Sequence, residues 1–84
     1  MEKENIISVV KDYLLDNFLF GFEEDEIKDN TSFMELGVLD STGIMEIVSF
    51  LEDEYSITFG DDEIIPDNLD SLELIAKFVL NKIS

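Results

Sequence analysis

Eighty-four residues set the scale of a single domain spanning 1–84, and a hydrophobic content of 45% suffices to bury a core despite 31% charged residues. Twenty-one acidic against five basic residues leave a formal charge of −16, a field that repels nucleic-acid phosphates and anionic membrane surfaces and attracts basic protein patches. The absence of Cys and His removes thiolate zinc sites, most metal-ligand sets and the usual nucleophile–base pairs, so neither catalytic residues nor a metal site are expected.

Met1-Glu2-Lys3-Glu4 lacks the basic flank and apolar stretch of a signal peptide, and no apolar run approaches membrane-spanning length. The expectation is a cytoplasmic monomer with no nucleic-acid partner and no stable membrane insertion. Self-repulsion among the acids also predicts a melting midpoint that rises when magnesium is added.

Residues 4–20 read as a first helix: Ile6, Ile7, Val10, Leu14 and Phe18 recur at three- and four-residue spacing, leaving Lys11, Asp12 and Asp16 in solvent. Gly21 offers a stop. Residues 21–40 show no sustained period, yet Phe22, Ile27, Phe33, Met34, Leu36, Val38 and Leu39 are too many apolar residues for a free linker. They predict an ordered loop packed over the helices, with a helical turn near 31–36. The run Glu23-Glu24-Asp25-Glu26 reads as a solvated surface, because it lacks the alternating ligand spacing of an EF-hand loop.

The second helix is predicted over 41–55, with Ile44, Ile47, Val48, Leu51 and Tyr55 facing the core. Its opposite stripe holds Thr42, Glu46, Ser49 and Asp53 with Met45 and Glu52 beside it, and contains no Lys or Arg. Residues 56–60 connect to a short third helix over 61–65, with acids at its N-terminus and Pro66 ending it. Asp70 and Glu73 have capping-box spacing ahead of a last helix over 71–82, whose inward residues are Leu72, Ile75, Ala76, Val79 and Ile83. The predicted fold is all-α: a small four-helix bundle, three main helices plus one short helix, with a long ordered loop between the first two helices.

The middle of the chain reads Glu35-Leu36-Gly37-Val38-Leu39-Asp40-Ser41-Thr42-Gly43-Ile44. Gly37 permits a turn, and Asp40 and Ser41 are residue types that satisfy free N–H groups at a helix start. Leu36-Gly37-x-x-Asp40-Ser41, central in the chain, resembles the prosthetic-group site of acyl and peptidyl carrier proteins. The resemblance implies 4'-phosphopantetheine attached through a phosphodiester to Ser41, with an acyl or aminoacyl group held as a thioester on its thiol. It also implies a phosphopantetheinyl transferase as partner, together with a loading ligase and downstream acyl-transfer enzymes bearing basic docking surfaces. Asp40, Thr42, Met45, Glu46, Ser49 and Asp53 are the expected recognition residues, and Ile44 and Ile47 the candidate border of an acyl pocket; for both, ordinary core packing explains their burial equally well. A different class, an acidic interaction or inhibitor module, explains the charge but not the placement of loop and serine.

Leu-Asp-Ser occurs twice, at 39–41 and 69–71. The second has no glycine-containing loop before it and only thirteen residues after it, so Ser71 reads as a helix-start residue. The motif also departs from the Gly-x-Asp-Ser-Leu form of fatty-acid synthesis: Val38 and Leu39 separate Gly37 from Asp40, and Thr42-Gly43 follow Ser41. In this it is more similar to D-alanyl and other stand-alone, specialised carriers, with the fatty-acid-synthesis form as the alternative. Gly43 in the first helical turn costs about 1 kcal/mol relative to Ala, and is read as a bare surface that a partner or the pantetheine arm approaches.

Overall fold

The apolar spacing of the first segment winds it into α1 (Lys3–Asn17), which buries Ile6, Ile7, Val10 and Leu14. A computed structural model describes residues 2–18, 21–37 and 41–83, with the backbone only for Glu24 and Ser41. The helix ends at Asn17, ahead of the expected residue 20 and without help from Gly21. The Phe18 N–H closes on the Leu14 carbonyl at 2.7 Å, and Asn17 Nδ2 donates to the Tyr13 carbonyl at 2.8 Å. Lys11 is half-buried rather than fully solvated.

The long connection is ordered as its apolar content requires. A 3-10 turn spans Glu24–Glu26 with Glu23, Asp25 and Glu26 exposed, and Ile27 and Phe33 are fully buried beyond it. The expected helical turn is α2 (Phe33–Leu36), capped by Ser32, whose hydroxyl accepts the Glu35 N–H at 3.3 Å. Gly37 follows at φ 68°, the left-handed conformation that only glycine adopts without strain.

Asp70 explains why so long a segment stays in place. Its carbonyl accepts the Phe33 N–H at 2.8 Å. Its carboxylate accepts the Ser32 hydroxyl at 2.6 Å and the Met34 N–H at 2.9 Å. The Glu73 N–H adds a bond to the Asp29 carbonyl at 2.9 Å. The expected Asp70–Glu73 capping box is therefore corrected: Asp70 faces α2, and the cap of the last helix is Ser71, whose Oγ accepts the Leu74 N–H at 3.1 Å. Ser71 immediately precedes the first helical residue, where a hydroxyl reaches a free N–H three residues on.

α3 (Ser41–Tyr55) coincides with its expected span. Ile47, Val48 and Leu51 are buried, and Ile44 and Tyr55 are half-buried. The third short element differs from expectation. Residues 61–63 form only a 3-10 turn (Asp61–Glu63), and Pro66 begins rather than ends the following helix, α4 (Pro66–Leu69). At the first helical position the missing proline N–H has no partner to lose, and the ring fixes φ near its helical value. α5 (Leu72–Ile83) buries Leu72, Ile75, Ala76 and Val79 against α1, while Ile83, expected to face inward, is exposed at the last turn.

Three long helices and two of four residues thus form the expected all-α bundle, with no strand among the described residues. The radius of gyration of 11.8 Å equals that of a compact chain of this length, about 12 Å, so the loop lies on the bundle instead of extending from it.

Glu63 ties the 3-10 turn to α5. Its Oε1 accepts from Lys82 Nζ at 2.7 Å and from the Gly60 N–H at 2.8 Å, and the Lys82 bond, then the Gly60 bond, hold its carboxyl below the ordinary value. A lowered folded value contributes stability above the unfolded carboxylate range that is lost as pH falls through the folded value. Acidification also relieves repulsion among the other acids, so the comparison must be between chains. Glu63→Gln is expected to be less stable than the parent at neutral pH and to converge with it in acid, as read from thermal melts across that range.

Candidate functional site

The left-handed turn at Gly37 releases the chain from α2, and α3 begins at Ser41. Asp40, expected among the recognition residues, lies outside the described residues. Ser41 opens a helix of 15 residues whose first turn carries no acidic side chain, and the positive end of the helix dipole there favours an anion. At the other Leu-Asp-Ser, Ser71 is 5% exposed and committed to its cap.

Five of the expected recognition residues come together. Thr42, Met45, Glu46, Ser49 and Asp53 are exposed along α3 and line an open groove of about 560 Å³, opposite Tyr13 and Asn17 of α1. Phe50 completes the lining and stacks on Tyr13, with ring centroids 4.0 Å apart and planes at 13°. Among the described residues, the groove's ionisable side chains are the carboxylates of Glu46 and Asp53 and the Tyr13 phenol, with no cation. Burial first, and the Glu46 carboxylate second, push the Tyr13 phenol up, so it stays a neutral donor. Met45, 51% exposed, adds an apolar contact beside the charges.

Sequence reasoning missed the α1 wall. Tyr13 and Asn17 share a face one turn apart, off the Ile6–Val10–Leu14 stripe, and only the packing of α1 beside α3 gives that face a role.

Ile44 and Ile47 separate in the fold. Ile44 is half-buried and lines a small crevice of about 20 Å³ with Met34 of α2, Pro66 and Leu69 of α4, and Asp70. Ile47 is fully buried in the central core and is not part of that lining. Gly43 is itself buried. The expectation of a bare surface there is therefore corrected: a residue excluded from solvent presents no face to a partner. Among the described residues no group of three or more acidic side chains is placed to hold a metal ion, and no helix is long and apolar enough to cross a membrane.

Residues 19–79 match the phosphopantetheine attachment site family. The chain is 38% identical over 63 residues to an acyl carrier protein of Lactobacillus acidophilus, an alignment that covers 75% of this chain and 76% of that protein. It is 31% identical over 67 residues to a probable acyl carrier protein, PigG, of Serratia sp., covering 80% of this chain and 76% of the relative. The matched span includes α2, the Gly37 turn, α3 and most of α5.

Proposed function

The chain belongs to the phosphopantetheine attachment site family, with acyl carrier proteins as its relatives, and on that footing we propose that Ser41 bears the prosthetic group. The protein is a carrier, its prosthetic group is 4'-phosphopantetheine, and proteins of this kind work with a phosphopantetheinyl transferase and acyl-transfer enzymes rather than as catalysts themselves. When bound, the group supplies a thiol on which an acyl or aminoacyl cargo is held as a thioester.

The observation that carries the Ser41 reading is the position of this residue at the start of α3, four residues on in sequence from the left-handed Gly37, in a first turn free of acidic side chains. A phosphodiester there meets the positive end of the helix dipole. The chain's own share of the chemistry is to place the hydroxyl and to present surfaces that partners recognise. Without a His to take its proton, the hydroxyl depends on the transferase for activation.

Recognition falls to the groove stripe of Thr42, Met45, Glu46, Ser49 and Asp53, with Asp40 beside the attachment point. Its two carboxylates and exposed methionine suit partner surfaces that combine basic and apolar side chains. Ile44 borders the place where an aliphatic cargo would first meet the fold. The spacing of Gly37 from Asp40 and the Thr42-Gly43 pair support a specialised, stand-alone carrier over the fatty-acid-synthesis form, acting as a monomer in the cytoplasm.

Incubation with coenzyme A and a phosphopantetheinyl transferase tests this reading. Intact mass spectrometry is expected to show conversion to a species carrying a single phosphopantetheine. A chain that takes up none under conditions that convert a control carrier refutes the proposal.

A further inference from the structure

The groove between α1 and α3 begins where the attachment helix begins. Along α3 its lining runs from Thr42, the sequence neighbour of Ser41, to Asp53. These two are eleven residues apart on one helix, a span of about 17 Å at the helical rise. A phosphopantetheine arm on Ser41 runs through about fourteen bonds to its sulfur, and at the pitch of an extended chain it covers about the same distance. The groove offers about 560 Å³, against about 20 Å³ beside Ile44. Its lining is mixed in the way such an arm requires. The Thr42 and Ser49 hydroxyls suit amide groups, and Met45 with the stacked Tyr13 and Phe50 rings suits methyl groups.

The charge of the lining selects what the arm can carry there. Glu46 and Asp53 are exposed, and among the described residues neither has an ion-pair partner; the two ion pairs use Glu73 and Glu63. An anionic cargo is repelled from such a lining, and an aliphatic one covers carboxylates without replacing their hydration. An ammonium group is attracted by both carboxylates, and the aromatic wall also favours a cation. The field reaches across the groove: burial first, and Glu46 second, push the Tyr13 phenol up.

We propose that this groove receives the arm when it bears an aminoacyl cargo with a free α-ammonium, held by Glu46 and Asp53 beside the Tyr13 wall of α1. The inference rests on the carrier reading with the arm on Ser41. Cargo and partner then compete for one pair of carboxylates, so a basic surface docking on the α3 stripe displaces the ammonium and frees the thioester for transfer.

The test uses coenzyme A analogues whose arm ends in an alanyl or a propionyl group through a stable amide, so that the two cargoes differ by the ammonium alone. A phosphopantetheinyl transferase loads each onto the isotope-labelled parent and onto the double variant Glu46→Gln, Asp53→Asn, and backbone amide spectra are compared with those of the unloaded chains. In the parent the alanyl arm is expected to shift the amides of Tyr13 and Asn17 on α1 together with those of Ser49 and Asp53. The propionyl arm is expected to shift only residues flanking Ser41, and the double variant to lose the α1 shifts with either arm. Should the double variant fail to fold or to take up an arm, the parent comparison decides alone. Identical spectra for the two cargoes in the parent, or a difference that persists in the double variant, overturn the ammonium site and leave the attachment reading intact. A parent that takes up neither arm, while a control carrier takes up both, overturns the attachment reading and the groove with it.

Discussion

Ser41→Ala is expected to abolish phosphopantetheine attachment completely, while Ser71→Ala is expected to retain it in full and to lose stability instead. The two serines share the tripeptide Leu-Asp-Ser and a place at a helix start, so composition cannot separate them. Their surroundings do. Ser71 is 5% exposed and its oxygen accepts the Leu74 N–H; modification there would expose a core-facing residue and uncap α5. Removing that cap costs about 1 kcal/mol, visible as a lower urea midpoint at unchanged slope. Ser41 follows the Gly37 turn at the head of α3, on the helix that carries the acidic groove. Intact mass after exposure to coenzyme A and transferase reads the first effect, and denaturation reads the second. Any adduct remaining in Ser41→Ala would contradict the assignment.

Phe33→Ala carries the largest expected loss of stability. The ring is fully buried at the first position of α2, where it anchors the long connection that the Asp70 bonds also hold. Truncating a buried phenylalanine costs about 3–5 kcal/mol through lost burial and the cavity left behind. An 84-residue domain commands a total on the order of 5–10 kcal/mol, and a net charge of −16 draws on the same reserve through self-repulsion. The thermal midpoint should therefore fall by roughly 15–30 °C. Met34→Ala, one residue along but 61% exposed, should stay within about 0.5 kcal/mol of the parent. Comparable losses for the two would show that the loop is not anchored through Phe33.

The long helices were legible because each repeats its apolar residues over three turns or more. α3 is the clearest case, where Ile44, Ile47, Val48 and Leu51 define both the helix and its core face. The loop was legible as ordered from its apolar content, and Ser32 and Gly37 bracket α2 as cap and left-handed stop. What sequence could not supply was partnership across the chain. Asp70 has the spacing of a local cap, but its carboxylate bonds to residues 36 and 38 positions earlier. Nothing local announces such a contact. Pro66 was misplaced because proline serves equally as a helix breaker and as a first helical residue, and the choice depends on which side holds the packed turn. In the site, the α3 stripe followed from the helical period, whereas Tyr13 and Asn17 entered only when α1 packed alongside. Low helix propensity suggests a surface position for Gly43, but it is a local property that carries no information about burial.

The carrier role of this chain turns on where the prosthetic group is attached. Proteolysis of the holo protein followed by fragmentation of the modified peptide localises it in the natural chain, free of any effect of substitution. The expected result is phosphopantetheine on Ser41 and on none of the other six serines; its appearance on Ser71, or on any residue other than Ser41, would contradict the account.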